Sequence, residues 1–233
     1  TNVISNVCIL LIPMASVWMF GRIAKRLPHS HIVFIVMLLL LVGLVGYANY
    51  CEQQPSVALI DLPITAQANL EGKELRFGMS AGPTWAVATT ATSNGSVNAM
   101  HDSLNPLTGL APMIGMWLNV IFGGCGVGML NMFLFVVVAV FLAGMMVGRT
   151  PEYLARKIEA HEMKLALLTI LSHPMFILGG IALFAATSWG RETLNNPGSH
   201  GLSEIIYEFS SAAANNGSGF EGLGDNTPPW NIA

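Results

Sequence analysis

Charged residues are scarce in this chain. Asp, Glu, Lys and Arg make up 10% of 233 residues, against 53% hydrophobic, whereas a soluble domain carries about 25% charged residues. With a mean hydropathy of +0.58, that shortage excludes a surface mostly in water and points to an integral membrane protein. A basic stripe is also missing. The formal net charge is −3, and no clustered Lys/Arg face of the kind nucleic acid requires is present, so no nucleic-acid partner is expected. The three cysteines, Cys8, Cys51 and Cys125, are widely spaced. They match no metal or redox motif and read as small buried residues. No basic segment precedes the first apolar run, so that run is not a signal peptide. The chain begins at Thr1 and ends in TPPWNIA, where another apolar segment would start. It is therefore expected to be a piece of a longer polytopic protein.

What the chain has in quantity is apolar length. A membrane-spanning helix needs about 20 mostly apolar residues. Four stretches qualify, near 3–20, 31–50, 111–147 and 165–189. The first holds Pro13, which is expected to kink it. The third is too long for one straight span and is interrupted by GGCGVG at 123–128. The fourth contains Pro174. Lys and Arg in the loops orient the spans. Arg22, Lys25, Arg26, Arg149, Arg156, Lys157 and Lys164 fall on one side if the spans alternate, and only Lys73, Arg76 and Arg191 on the other. The seven-residue side should be cytoplasmic. Ten of the thirteen acidic residues fall on the opposite side, in agreement.

Between the second and third spans lies a small, polar run, ATTATSNGSVNAMHDS at 88–103. Both flanking spans are accounted for, so residues 80–100 must enter and leave the membrane from one face. GPTWAVATTAT reads as a short helix starting near Pro83, and SNGS as its extended return, since Asn94 and Gly95 are poor helix formers. The run has a partner. NNGS at 215–218 repeats SNGS at 93–96, with Gly95 and Gly217 122 residues apart and Trp85 falling on Tyr207. Non-helical backbone at membrane depth is tolerated only when buried in protein or lining a wet cavity. Repeated bends can aim their carbonyls at one point and replace the water around a monovalent cation, helped by the negative C-terminal end of each short helix. Small-residue faces for close helix packing are the competing reading of ATTAT and SSAAAN.

TTATSNGSVNAMHDS, VGRTPEYLARKIEAHEMKL, NLEGKELRFG, NPGSHGLSEIIYEFSSAAANNGSGFEGL and PPWN together resemble the potassium-binding A-subunit family of bacterial potassium-transporting P-type ATPases, the Kdp complexes, along the whole chain. The resemblance implies an all-α membrane protein similar to a potassium channel folded as one chain of four span–pore-helix–filter-loop–span repeats. By position, 1–21 would be the closing span of repeat two and 22–30 a cytoplasmic loop. Repeat three would be 31–148, with a span at 31–50, an outer loop at 51–79, a pore helix and filter at 80–100 and a broken span at 111–147. A second cytoplasmic loop would fill 149–164, and 165–233 would be repeat four before its last span. The filter loops carried over are Thr92, Ser93, Asn94, Gly95 and Ser96, and Asn215, Asn216, Gly217 and Ser218. The family often has Cys where Asn94 stands and a small residue where Glu221 stands.

The resemblance further implies K⁺ as the transported ion, a location in the bacterial inner membrane, and partners in the ATPase B subunit, the single-span C subunit and the small F peptide. No phosphate loop or aspartyl-phosphate motif is present in the chain, so ATP is expected to be hydrolysed by a partner, and this chain is not expected to be an enzyme on its own. GGCGVG resembles the family's broken helix, where an intramembrane loop below the filter restricts passage inward, which implies a gate loop at Gly123, Gly124, Gly126 and Gly128; a glycine-rich packing face is the alternative. Two other readings stay open: a Trk-like passive or ion-coupled transporter, and a truncated, non-functional fragment.

Four further features carry expectations. His101 and Asp102 read as a solvated pair at the outer mouth, for want of any third partner. His173, inside the fourth span, is either functional or bonded to a neighbouring helix. Arg149 either snorkels to the interface or faces an inner vestibule, where a fixed positive charge would oppose cation leak. PEYLARKIEAHEMK, with Glu and basic residues at helical spacing, reads as a short amphipathic helix.

Overall fold

The computed structural model describes residues 2–55, 69–196 and 198–233, without the side chain of Cys125. Residues 56–68 of the polar loop expected over 51–79 therefore lie outside the described residues. Nine α-helices are described, and four are long and apolar enough to cross a membrane: α1 (Asn2–Ile23), α2 (Leu27–Glu52), α5 (Val127–Val147) and α6 (Ala160–Ala186). Between them stand α3 (Ala81–Ala91), α4 (Pro106–Leu118), the single turn α7 (Ser188–Arg191), α8 (Ser199–Ala213) and the terminal α9 (Pro228–Ile232). The apolar run expected over 111–147 is thus two α-helices, the first beginning at Pro106, with 119–126 between them outside α-helix and Gly124–Gly126 forming a 3-10 turn. Large apolar side chains on the span-length helices stay exposed, Leu39 at 66% and Met146 at 88% among them. Hydrocarbon rather than water is the solvent that suits such faces.

Packing follows from small residues at helix contacts. α1 turns into α2 across Lys25 in the left-handed conformation, and Pro28 sits in the first turn of α2, where a missing N–H costs nothing. Gly21 faces Ser30 so closely that a Cβ there would overlap it, and the Ser30 hydroxyl donates to the Val17 carbonyl. The main core joins α1 and α2 to α3, α4 and the 119–126 segment through Val17, Met37, Leu41, Val87, Ala111 and Phe122. A second core joins α4 to α8 through Met113, Met116, Tyr207 and Phe220. Of the cysteines, Cys51 is buried as expected, whereas Cys8 is exposed on α1.

The amphipathic helix expected from PEYLARKIEAHEMK does not form over its first half. Glu152–Tyr153 (β1) and Arg156–Lys157 (β2) pair antiparallel, through a turn whose Leu154 and Ala155 both have positive φ. The Ile158 N–H donates to the Pro151 carbonyl at 2.9 Å, Ile158 is buried with Val137 and Met163, and Tyr153 packs against that cluster. Burying these side chains outweighs the few tenths of a kcal/mol that i,i+4 charge pairs offer a helix. Helix resumes at α6, where Glu159 and Glu162 form a capping box. His29 Nε2 lies 2.6 Å from the Tyr153 hydroxyl, so the α1–α2 turn and the hairpin share one end of the molecule. Both basic loops are at that end.

Candidate functional site

α3 and α8 end in the same way. Ser93 (φ 53°) and Asn215 (φ 55°) adopt the left-handed conformation one residue past each helix cap. The Asn94 N–H reaches back to the Thr89 carbonyl at 3.0 Å and the Asn216 N–H to the Ser211 carbonyl at 2.9 Å. Ser93 and Asn215 donate likewise to Thr90 and Ala212. These are two Schellman terminations built on non-glycine residues, each of which accepts a left-handed backbone at some cost.

The correspondence continues through the bends. Asn94 Oδ1 accepts the Ser96 N–H at 3.1 Å, and Asn216 Oδ1 accepts the Ser218 N–H at 2.9 Å, so each asparagine folds its own loop. The aromatic residue on each helix then holds the last serine: Trp85 Nε1 donates to the Ser96 carbonyl, and the Tyr207 hydroxyl bonds Ser218 Oγ, both at 2.9 Å. Gly95 and Gly217 have positive φ. Among the described residues the carbonyls of Asn94, Gly95, Asn216 and Gly217 accept no hydrogen bond, while Thr92 and Ser96 use theirs within the fold. The carbonyls of Ser93, Asn215 and Ser218 are likewise unspent, so both NG steps lie within runs of free backbone acceptors.

The bends also touch one another. Asn216 Nδ2 donates to the Thr89 carbonyl at 3.2 Å. A Cβ on Gly95 would overlap the Asn216 carbonyl oxygen, so only glycine allows that approach. Trp117 Nε1 donates to Ser210 Oγ at 2.8 Å, and His173 Nε2 lies 3.1 Å from the Met116 carbonyl, a bond to the neighbouring helix. A cavity of about 830 Å³ lies among α4, α5, α6 and α8, bordered by Trp117, Asn119, Asn131, Thr169, His173 and Asn215.

The 119–126 segment packs against the first bend. The Gly124 N–H donates to the Thr92 carbonyl at 2.7 Å, and the Gly128 N–H to the Gly123 carbonyl at 3.1 Å. A Cβ on Gly128 would overlap Gly123 backbone, and one on Gly124 would sit 3.2 Å from the Thr92 oxygen. Gly126 has φ 108°. Gly123 and Gly128 are held to glycine by backbone meeting backbone within the loop and Gly124 by its approach to the bend, while Gly126 has open space around it and is set by its positive φ. Asn131 Nδ2, from α5, donates to the Asn119 carbonyl at 2.8 Å and anchors the segment.

The solvated His101–Asp102 pair is not found. His101 is buried, with Nδ1 3.0 Å from the Tyr207 hydroxyl, and burial holds its imidazole down at about 4. Asp102 pairs instead with His200, Oδ1 to Nε2, at 2.8 Å. The two side chains diverge because 101–103 form a 3-10 turn, which sends neighbouring residues to different sides. Glu221 is exposed and accepts the Asp102 N–H at 3.4 Å. Arg149 is exposed, and its N–H closes α5 on the Gly144 carbonyl.

One group leaves no sequence signal beyond an acid at the end of an apolar run. Glu52 and Lys73 form a buried ion pair at 2.6 Å, both side chains 1% exposed. Asn69 Nδ2 and the Asn105 N–H also donate to the Glu52 carboxylate, each at 3.0 Å. This knot ties residues 69–73 to α2 and to the start of α4.

Four span-length helices, with two matching short helix–bend units set among them, define an all-α membrane protein. Over residues 1–233 the chain matches the family model described as KdpA, Potassium-transporting ATPase A subunit, and it belongs to that family. It is 49% identical over 233 residues to the potassium-transporting ATPase potassium-binding subunit of Pseudomonas aeruginosa, covering all of this chain and 41% of that protein. It is 46% identical over 234 residues to the subunit of the same name from Geobacillus kaustophilus, covering all of this chain and 42% of that protein. The chain thus spans about two fifths of the length of these relatives.

Proposed function

We propose that this chain is part of a potassium-binding membrane subunit in which the carbonyls of Asn94, Gly95, Asn216 and Gly217 contribute to a K⁺ filter, with Thr92, Ser93, Ser96, Asn215 and Ser218 shaping the two bends. One observation carries the reading. Two bends 122 residues apart share the same helix-ending and asparagine hydrogen bonds, lie against each other, and leave the carbonyls of both NG steps without a donor. Carbonyl oxygens suit a dehydrated alkali cation, and the C-terminal ends of α3 and α8 add negative potential beside them. Residues 31–148 and 165–233 are then two repeats of one unit, with the basic end cytoplasmic in a bacterial inner membrane. Gly123, Gly124, Gly126 and Gly128 form a gate loop below the first bend, and the cavity beside Asn215 lies on the inward route, toward which Arg149 would repel leaking cations.

The relatives are named as subunits of a potassium-transporting ATPase. By that likeness K⁺ is the cargo, and ATP is hydrolysed by a B subunit that works with the C subunit and the F peptide. The test is Gly95→Ala and Gly217→Ala in the complete protein, read as K⁺-dependent growth at micromolar K⁺. Both should weaken uptake. Gly95→Ala should do so more, because its Cβ meets the Asn216 carbonyl while the nearest atom to one on Gly217 is Gly95 Cα at 3.9 Å. Unchanged apparent affinity in both variants would refute the filter assignment.

A further inference from the structure

Asp102, His200 and Glu204 present one ligand atom each, all within 4.8 Å of one another. His200 Nε2 lies 2.8 Å from Asp102 Oδ1 and 3.7 Å from Glu204 Oε1. His200 and Glu204 stand four residues apart in α8 and so share a helix face. Asp102 reaches them from the turn that follows the first bend.

The Glu204 carboxylate is the telling member. Its side chain is fully buried, and among the described residues Oε2 has no hydrogen-bond partner. A buried carboxylate oxygen without a donor is costly. No described Lys or Arg lies within ion-pair distance of Glu204 or Asp102. Asn196 Nδ2 donates to Oε1 at 2.6 Å, the kind of outer partner that fixes a ligating carboxylate. A Cβ on Gly222 would overlap Oε1, so glycine leaves that carboxylate its position. Phe220 stacks parallel to the His200 ring, 6.4 Å away, and the Asp102 N–H donates to Glu221 Oε2 at 3.4 Å.

We propose that Asp102, His200 and Glu204 bind a divalent transition-metal ion, with Zn²⁺ the best match, and that this ion fastens the turn after the first bend to the beginning of α8. One imidazole nitrogen and two carboxylate oxygens suit Zn²⁺ and its first-row neighbours, whereas Mg²⁺ and Ca²⁺ favour all-oxygen shells. Three protein ligands leave a fourth position for water. On binding, the ion replaces the His200–Asp102 hydrogen bond, whose proton leaves to solvent, and it sets a positive charge against the buried Glu204 carboxylate. None of these three residues contributes to the two NG steps.

The test uses the complete protein, purified, stripped with chelator and re-exposed to Zn²⁺ alone, then to Co²⁺ as a visible probe. Wild type should retain one Zn²⁺ per chain more than His200→Ala by elemental analysis, and should bind at least about 100-fold more tightly, beyond the effect of an outer-shell change. Co²⁺ should give tetrahedral d–d bands in wild type that His200→Ala lacks. His200 is 45% exposed, so its removal should leave the fold intact, and Asp102→Asn supplies a second variant. Equal Zn²⁺ content in wild type and both variants would overturn the proposal. Metal content is read without any transport, so its outcome is separate from that of the K⁺ filter.

Discussion

Asn216 donates its side-chain amide to the Thr89 carbonyl at 3.2 Å, the same oxygen that closes α3 by accepting the Asn94 N–H at 3.0 Å. One main-chain oxygen therefore ends the first short helix and fastens the second bend to it. Asn216 is buried, while Asn94 is exposed. Asn216→Ala removes that link and the acceptor for the Ser218 N–H, leaving buried polar groups unpaired at about 1–3 kcal/mol each. Asn94→Ala loses only its own turn. Asn216→Ala is expected to lower the thermal midpoint of the complete protein and its K⁺ affinity clearly more than Asn94→Ala, checked by melting curves with and without K⁺.

The Glu52–Lys73 pair is buried on both sides, and breaking such a pair leaves an uncompensated charge. Lys73→Met should destabilise the complete protein by about 3–5 kcal/mol. Adding Glu52→Gln to Lys73→Met should recover part of the loss. The double-mutant cycle, read by unfolding in detergent, gives the coupling directly.

His101 supplies a pH dependence. Its imidazole, in a turn outside the spanning helices, is held by burial at about 4, against about 6.5 in an unfolded chain. The folded value is the lower, so the unfolded state takes up the proton first. The stability contributed by neutral His101 is complete above about pH 6.5 and is lost as pH falls from there toward about 4. Wild type should lose thermal stability across that window more steeply than His101→Asn, measured in melts at intervals of pH.

Glycines in similar apolar settings should separate sharply. Gly43, inside α2, has nothing within 4 Å of the point where a Cβ would stand, so Gly43→Ala should be neutral or stabilising by about 0.5–1 kcal/mol. Gly128→Ala drives a methyl into Gly123 backbone and should cost folded yield or block K⁺ uptake in the complete protein. Parallel expression and uptake assays of the two variants distinguish them.

Much of this architecture is legible locally. Apolar length marks the four span-length helices, and the polar NGS strings mark both bends, because each signal is written in one contiguous stretch. The 152–157 hairpin is not legible in that way. Charge spacing there predicts helix and says nothing about the apolar cluster of Val137, Ile158 and Met163 on which the hairpin rests. The burial of His101 escapes for the same reason: Tyr207, its partner, lies 106 residues away.

Composition and short-range backbone preference are enough to establish the solvent this chain suits, the number of its long helices and the existence of two matching bends. Helix packing adds what they leave open: that the bends touch, that Gly124 rests on Thr92, and that Asp102 meets His200 across 98 residues of chain. Contacts between distant segments depend on how helices settle against one another, and that settling leaves no periodic trace in the residues it joins.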